Sequence, residues 1–318
     1  MQVKTFIVAF TSGYTACCVS FIVFFGGSHL SRDTARVLTA NFDVINGTRQ
    51  HGVDDVSLAD LRKQVKVLIW VMTSPSTLNT RAEVVKKTWA THAEKVLYMS
   101  SQSNSSFPAI GLNVTEGRDQ LSVKTMEAFS YVYRHHFQQF DWFMKADDDT
   151  YVIVENLLFF LSDKDCNDPV YFGNIYKVKV KQGYNSGGAG YVLSKEALRR
   201  LCLHGDAQKC RQEGREEDVA MGECLQRLGV RAGETVDSQG RTRFHPNYPE
   251  YHLVPYYPPA YSLYDLYNGT KSGIKWMSDY AVSFHYIKPG KMLELEYFIY
   301  HLRPYSGNKY APSHLHNK

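Results

Sequence analysis

The hydrophobic pattern changes texture at Val65, where VKVLIWVMTSP forms a near-continuous apolar run stopped by Ser74-Pro75. A buried parallel strand reads this way, with polar loop residues at its carboxyl end. A helical segment is predicted over Arg81 to Thr91, followed by a strand in KVLYMSS. Arg118 to Phe137 carries apolar residues at Leu121, Val123, Met126, Phe129 and Tyr133, the spacing of a long amphipathic helix. WFMKA reads as the next strand, Ile153 to Leu161 as the next helix and VYFGNIY as a further strand. Strands alternating with helices predict an α/β domain with a mostly parallel central sheet flanked by helices. The stretch from Phe244 to Tyr267, rich in Tyr, Pro and His, reads as ordered loop more than regular structure.

Upstream the texture differs. Thr5 to Gly27 is apolar, and no Asp, Glu, Lys or Arg occurs between Lys4 and Arg32. A membrane helix needs about 20 predominantly apolar residues, whereas the apolar region of a cleaved signal peptide runs about 7–15. The length favours an uncleaved signal anchor, with residues 1–4 as a cytoplasmic tail and 5–27 as the transmembrane helix. Residues 28–63 are polar and read as a luminal stem, apart from a short helix near Leu58–Leu61, and 64–318 as the luminal catalytic domain. Sequons at Asn46, Asn104, Asn113 and Asn268 all fall on one side of the span, as expected of a secreted or luminal chain. Cys166, Cys202, Cys210 and Cys224 are even in number and suit two disulfides in an oxidising lumen, with three possible connectivities.

Composition adds limits. The 318 residues are 44% hydrophobic, enough for a packed core, and the formal charge of +4 is dispersed. No nucleic-acid footprint results. No dinucleotide or phosphate-loop glycine spacing is present either; Gly187-Gly188-Ala189-Gly190 suits a tight turn or a close approach to a ligand.

The chemistry gathers at Asp147, Asp148 and Asp149, three adjacent carboxylates where the WFMKA strand ends. Two unit charges ~4 Å apart repel by roughly 4 kcal/mol at an effective dielectric of about 20. Solvation or a bound cation has to offset that. In parallel sheets ligands bind beyond the carboxyl ends of strands, and clustered carboxylates suit a hard divalent ion held against a diphosphate. Nucleases, phosphatases and nucleotide-sugar enzymes all use such clusters.

FMKADDDTYVIVENL, VKQGYNSGGAGYVLSKEALRR, EEDVAMGECL, SFHYI and LEYFIYHLRPY occur in this order. Together they resemble the core 1 β1,3-galactosyltransferase family, within the fringe-like β1,3-glycosyltransferases, from about Val65 to Tyr305. The resemblance implies a GT-A fold and an inverting, Mn²⁺-dependent transfer of galactose from UDP-galactose to GalNAc α-linked to Ser or Thr of glycoproteins. It further implies a Golgi type II membrane protein and a homodimer. By the same resemblance Asp147, Asp149 and His285 are metal ligands. Met72, Glu116, Gly117, Arg118, Asp119, Lys124, Asp147, Asp148 and Tyr286 surround the nucleotide and diphosphate. Asp218 is the catalytic base, and Glu217, Gly188 and Tyr261 face the acceptor. Taken without the resemblance, Asp218 at a helix start has a plain explanation in the helix dipole, and His285 in AVSFHYI reads as a core histidine. The family also has a chaperone relative that lacks the acidic motif, which this chain retains.

Two departures stand out. Where the family carries four cysteines this chain has Ile69, Ala93, Trp276 and Met277, which implies the loss of two disulfides, each worth roughly 2–4 kcal/mol. Cys210 and Cys224 match family positions and are paired first, with Cys166–Cys202 as the remaining pair. Tyr261 and Leu263 stand near the positions of acceptor-side tryptophans, so a related β1,3-glycosyltransferase with another acceptor or donor sugar, or a catalytically weak folding helper, is the alternative.

Overall fold

The computed structural model describes residues 57–205, 210, 216–253 and 273–303. A seven-stranded sheet organises them. In chain order its strands are β1 (Val67–Met72), β2 (Lys95–Ser100), β3 (Ala109–Gly111), β4 (Trp142–Asp147), β6 (Val170–Gly173), β9 (Tyr191–Ser194) and β10 (Arg231–Ala232), and in space they run β10-β6-β9-β4-β1-β2-β3. The pairs are parallel except those of β9, which is antiparallel to both β4 and β6. The sheet is therefore mixed, with the expected parallel majority. Its antiparallel strand arises because the chain folds back through two short strands, β7 (Ile175–Tyr176) and β8 (Tyr184–Asn185), which pair with each other outside the main sheet.

Both faces of the sheet are covered, which explains the unbroken apolar runs. Along β1, Val67, Ile69 and Val71 point into one core, and Leu68, Trp70 and Met72 into the other. The first core is closed by α1 (Leu58–Gln64), α2 (Glu83–Lys87), α4 (Val154–Leu161) and α8 (Pro289–Glu296) through Leu61, Val85, Leu157 and Met292. The second is closed by α3 (Leu121–His136), α5 (Lys195–His204) and α6 (Glu217–Arg227) through Phe129, Leu198 and Leu225. Trp70 meets Phe129 edge to face with ring centroids 5.1 Å apart.

Several expectations shift in detail. The helix predicted over Arg81–Thr91 is divided into a π-helical turn (Leu78–Ala82), α2 and a 3-10 turn (Trp89–His92). The segment predicted from Arg118 begins as a 3-10 turn, and α3 buries Ser122, Lys124, Thr125, Met126, Ala128, Phe129 and Val132. Its buried face is thus rotated from the apolar stripe, because two polar residues on it serve the site described below. Helix α1, read as part of a stem, packs into the core through Leu61 and is joined to α4 by Arg62–Glu155 at 3.4 Å. The predicted loop after Phe244 contains β11 (Phe244–His245) and α7 (Pro249–Leu253).

Cys210 and Cys224 form a disulfide with Cα atoms 5.1 Å apart, which ties the segment before α6 to that helix. The Cys166–Cys202 pairing is corrected: no bond joins them. Cys166 packs against the core on one face of the sheet and Cys202, on α5, against the core on the other. Ile69 and Ala93, where the resemblance expects cysteines, line one cavity of about 300 Å³ with Val67, Val154 and Leu158. The transmembrane segment 5–27 lies outside the described residues, as does Tyr261. Among the described residues no helix is long and apolar enough to cross a membrane.

Candidate active site

Strand β4 ends on Asp147, and the chain turns through Asp148 and Asp149 into β5 (Tyr151–Val152). The turn is held on both sides. The Asp147 amide donates to Thr150 Oγ1 at 3.2 Å, and that hydroxyl donates to the Gly188 carbonyl at 2.8 Å. The Asp148 amide donates to the Met72 carbonyl at 3.1 Å, which docks the turn onto the end of β1. A second, three-stranded sheet then brings in a distant residue. In it β12 (Ser283–Phe284) pairs antiparallel with β5 and parallel with β11. The register sets Phe284 opposite Tyr151, so the following residue, His285, arrives beside the acid turn.

His285 Nε2 lies 3.2 Å from Asp149 Oδ1 and 3.9 Å from Asp147 Oδ2. One ligand atom from each of Asp147, Asp149 and His285 falls within 4.8 Å of the others. Two carboxylates with one imidazole suit a divalent cation. Tyr286 follows with φ 56 and its ring stacked on His285, centroids 3.9 Å apart. A bulky residue in the left-handed region is strained, a feature that clusters at functional sites. The Ile287 amide donates to the Asp149 carbonyl at 2.9 Å and closes the loop on the turn.

The glycines next to His285 have a steric reason. A Cβ on Gly188 would lie 2.0 Å from His285 Cε1, and one on Gly187 would lie 2.7 Å from Glu217 Oε2. Gly188, assigned to the acceptor side by resemblance, is thus placed against the imidazole. We expect Gly188→Ala to displace His285 and weaken metal binding by about tenfold or more, on the scale seen when groups that orient a ligand are lost. A manganese titration followed by electron paramagnetic resonance checks it, and wild-type affinity would contradict the placement.

Beyond the glycine loop lies a second group of acids. Glu217 and Asp218 occupy the first turn of α6. Asp218 Oδ2 accepts from the Gly187 amide at 3.1 Å, and Oδ1 from the Val219 amide at 2.9 Å. Burial pushes its carboxyl above the ordinary aspartate value, against the Gly187 hydrogen bond and the Lys145 charge. Glu217 is more enclosed. Its Oε1 accepts from Tyr191 at 2.6 Å and Thr125 at 3.1 Å, and burial with the adjacent Asp218 charge raises its carboxyl despite Lys145. Glu217, which the resemblance assigns to the acceptor side, has 7% of its side chain exposed.

Lys145 connects the two groups of acids, and the motif reading missed it. Its side chain is 3% exposed, and its ammonium lies 2.6 Å from Asp147 and 3.7 Å from Glu217 and donates to the Gly187 carbonyl at 3.0 Å. Burial opposes the charged form, yet Asp147 and Glu217 outweigh it and hold the ammonium above its usual value. The available signal was a lone charge inside the apolar strand WFMKA. Replacing Lys145 by Met should destabilise the fold by about 3–5 kcal/mol, since removing one partner leaves buried carboxylates unpaired. Urea denaturation checks this, and a change below about 1 kcal/mol, the scale of an exposed ion pair, would contradict it.

The expected nucleotide side is assembled in part. Lys124 donates to the Thr73 carbonyl at 2.7 Å and to Glu116 at 2.8 and 3.0 Å. Met72, at the end of β1, is buried, and Gly117, with φ 136, leads into the exposed pair Arg118 and Asp119. Asp148 accepts from Thr73 Oγ1 at 2.9 Å, and burial is the main cause that raises its carboxyl. Arg81, also missed, places Nη1 3.4 Å from Asp148 and 3.3 Å from Asp149.

The family profile described as Fringe-like matches residues 62–238. The chain belongs to the Fringe-like family. It is 46% identical over 261 residues to glycoprotein-N-acetylgalactosamine 3-beta-galactosyltransferase 1 of Xenopus laevis, a match covering 80% of this chain and 71% of that one. More distant relatives include a beta-1,3-glucosyltransferase of Mus musculus, 30% identical over 53% of this chain and 35% of its own. Chondroitin sulfate synthase 3 of Mus musculus is also 30% identical, over 51% of this chain and 20% of its own. Among solved structures, the galactosyltransferase LgtC in complex with donor and acceptor sugar analogs aligns with TM-score 0.42 and 10% identity. That alignment covers 74% of this chain and 97% of LgtC, a likeness too low to carry weight.

Proposed function

We propose that this protein transfers galactose from UDP-galactose in β1,3 linkage, with inversion, to GalNAc α-linked to Ser or Thr of glycoproteins. The observation that carries the reading is the joining of a metal-suited Asp147–Asp149–His285 group to a buried acid, Asp218, through Lys145 and the glycine loop. The relationship to a named 3-beta-galactosyltransferase supports the donor sugar, the linkage and the acceptor class.

Asp147, Asp149 and His285 would hold Mn²⁺, which would supply Lewis-acid stabilisation to a departing diphosphate. Asp148 and the end of β1 carry the uridine side, with Lys124 fixing Glu116 at its border. Asp218 takes the proton from the acceptor hydroxyl as its oxygen attacks the anomeric carbon. Its raised carboxyl suits a base that must bind a proton in the transition state. Glu217 and Lys145 position Asp218 and Asp147 and touch no substrate. The α/β arrangement is read as a GT-A domain, carried on a type II Golgi anchor and stem, and a homodimer is the working assembly.

The test is transfer of radiolabelled galactose from UDP-galactose to a GalNAcα-O-benzyl acceptor by the full chain, with Mn²⁺ or with EDTA. A β1,3-linked product formed only with metal is the expected result. A folded protein that binds UDP and Mn²⁺ without forming product would point to another acceptor or donor sugar, as Tyr261 and Leu263 in the acceptor segment allow. Binding of neither would overturn the transferase reading.

A further inference from the structure

We propose that Arg81 is a donor-phosphate contact, a side-chain cation that meets the diphosphate of the nucleotide sugar beside the metal-binding acids. The inference rests on the nucleotide-sugar reading above and adds to it a residue that neither the motifs nor the carboxylate–histidine group indicate.

Accessibility distinguishes Arg81 from the two buried lysines of the site. The Lys145 side chain is 3% exposed and committed to Asp147, Glu217 and the Gly187 carbonyl. That of Lys124 is 2% exposed and bound to Glu116 and the Thr73 carbonyl. Lys145 cannot turn toward a ligand without leaving the buried Glu217 unpaired, and Lys124 cannot without giving up Glu116 and the Thr73 carbonyl. Arg81 touches the same acid turn with 46% of its side chain exposed. A ligand arriving from solvent at Asp148 and Asp149 meets this cation first.

Its backbone is fixed while its head group is not. Leu78 and Ala82, at the two ends of the π-helical turn, are buried, and the Arg81 and Ala82 amides both donate to the Thr77 carbonyl at 2.9 and 3.2 Å. The Thr77 hydroxyl in turn bonds Thr73, Ser74 and the Ser74 amide. The guanidinium, by contrast, bridges two carboxylates through Nη1 alone, at 3.4 and 3.3 Å. Strong charge-assisted pairs are shorter, near 2.7–2.9 Å, and often use two nitrogens. Nε and Nη2 have no partner among the described residues, so most of the planar donor fork remains for an anion.

The chemistry calls for such a group. A nucleoside diphosphate released at neutral pH carries more negative charge than one divalent ion neutralises, and arginine matches phosphate oxygens with two parallel donors. Position agrees as well, because the turn bearing Arg81 follows the carboxyl end of the parallel strand β1, where ligands of such sheets bind.

The experiment is calorimetric titration of the full chain and of its Arg81→Gln and Arg81→Lys variants with UDP and with uridine, all in Mn²⁺. Arg81→Gln should lose about tenfold in UDP affinity and keep its uridine affinity, with Arg81→Lys between it and the wild type. Unchanged UDP binding by Arg81→Gln overturns the inference while leaving the donor reading intact. Equal loss toward uridine also overturns it, since that marks general damage to the site. A wild-type protein that binds neither ligand overturns the donor reading beneath it.

Discussion

Replacing Asp149 by Asn should lower galactose transfer by about 10³-fold or more while leaving the protein folded. Asp149 loses its charge in that variant, and with it the pairing to His285 at 3.2 Å and to Arg81 at 3.3 Å. Lewis-acid stabilisation of a leaving group is worth several kcal/mol, and each 1.36 kcal/mol is a factor of about ten in rate. The backbone role of the residue survives, because the Ile287 amide bonds its carbonyl and not its side chain. Burial works against the Asp149 charge, but His285, Arg81 and Lys145 prevail and hold its carboxyl below the ordinary value. A depressed folded-state value means that ionised Asp149 adds stability above its unfolded value, and that this is lost as pH falls through the folded one. The Asp149→Asn variant should therefore unfold at a modestly lower temperature at neutral pH, with the difference vanishing in acid. Activity, thermal melting at neutral pH and thermal melting in acid check the three parts. Transfer at the wild-type rate would remove the acid turn from the mechanism.

Asp218→Asn should cut kcat by about 10²–10⁴-fold, the usual contribution of a positioned general base. Affinity for UDP and Mn²⁺ should be unchanged, because Asp218 bonds the Gly187 and Val219 amides and no residue of the metal group. Here the pH sign is the opposite one. Burial raises the Asp218 carboxyl, so ionised Asp218 costs stability above its folded value, and the cost disappears below the unfolded value. The Asp218→Asn variant is relieved of that cost but loses one acceptor for a backbone amide, so at neutral pH it should melt within about 3 °C of the wild type, a separation of stability from activity. In the wild type, kcat/KM should fall on the acid side at a pH above that of an ordinary aspartate, as the base takes up a proton. An Asp218→Asn variant with full kcat would assign proton transfer elsewhere.

Much of the frame was legible because it depends on local patterning. The apolar runs at β1 and β4 marked buried strands, since a strand covered on both faces has no polar side. The acids after β4 stood out as a candidate site because charge at the end of a core strand needs a partner. Lys124 and Thr125 mark the limit. As polar residues they fall outside an apolar stripe, yet α3 buries both, one fixed to Glu116 and the other to Glu217. Periodicity counts apolar positions and is blind to a polar residue buried for a bond. The Cys166–Cys202 pairing failed for a related reason: elimination supplied the pair, and the two faces of the sheet keep its members apart.

By itself the sequence determined the alternation of strand and helix, the strand end that carries Asp147 to Asp149, and a set of motifs that resembles one transferase family. Only the tertiary structure decided which residues meet there. His285 reaches the acids through the pairing of β12 with β5, Gly188 is small because the imidazole lies against it, and Lys145 is charged because two groups of carboxylates enclose it. The physical reason is range: hydrophobic periodicity acts over a few turns of chain, whereas a metal site and a buried ion pair are made between segments that lie far apart in sequence.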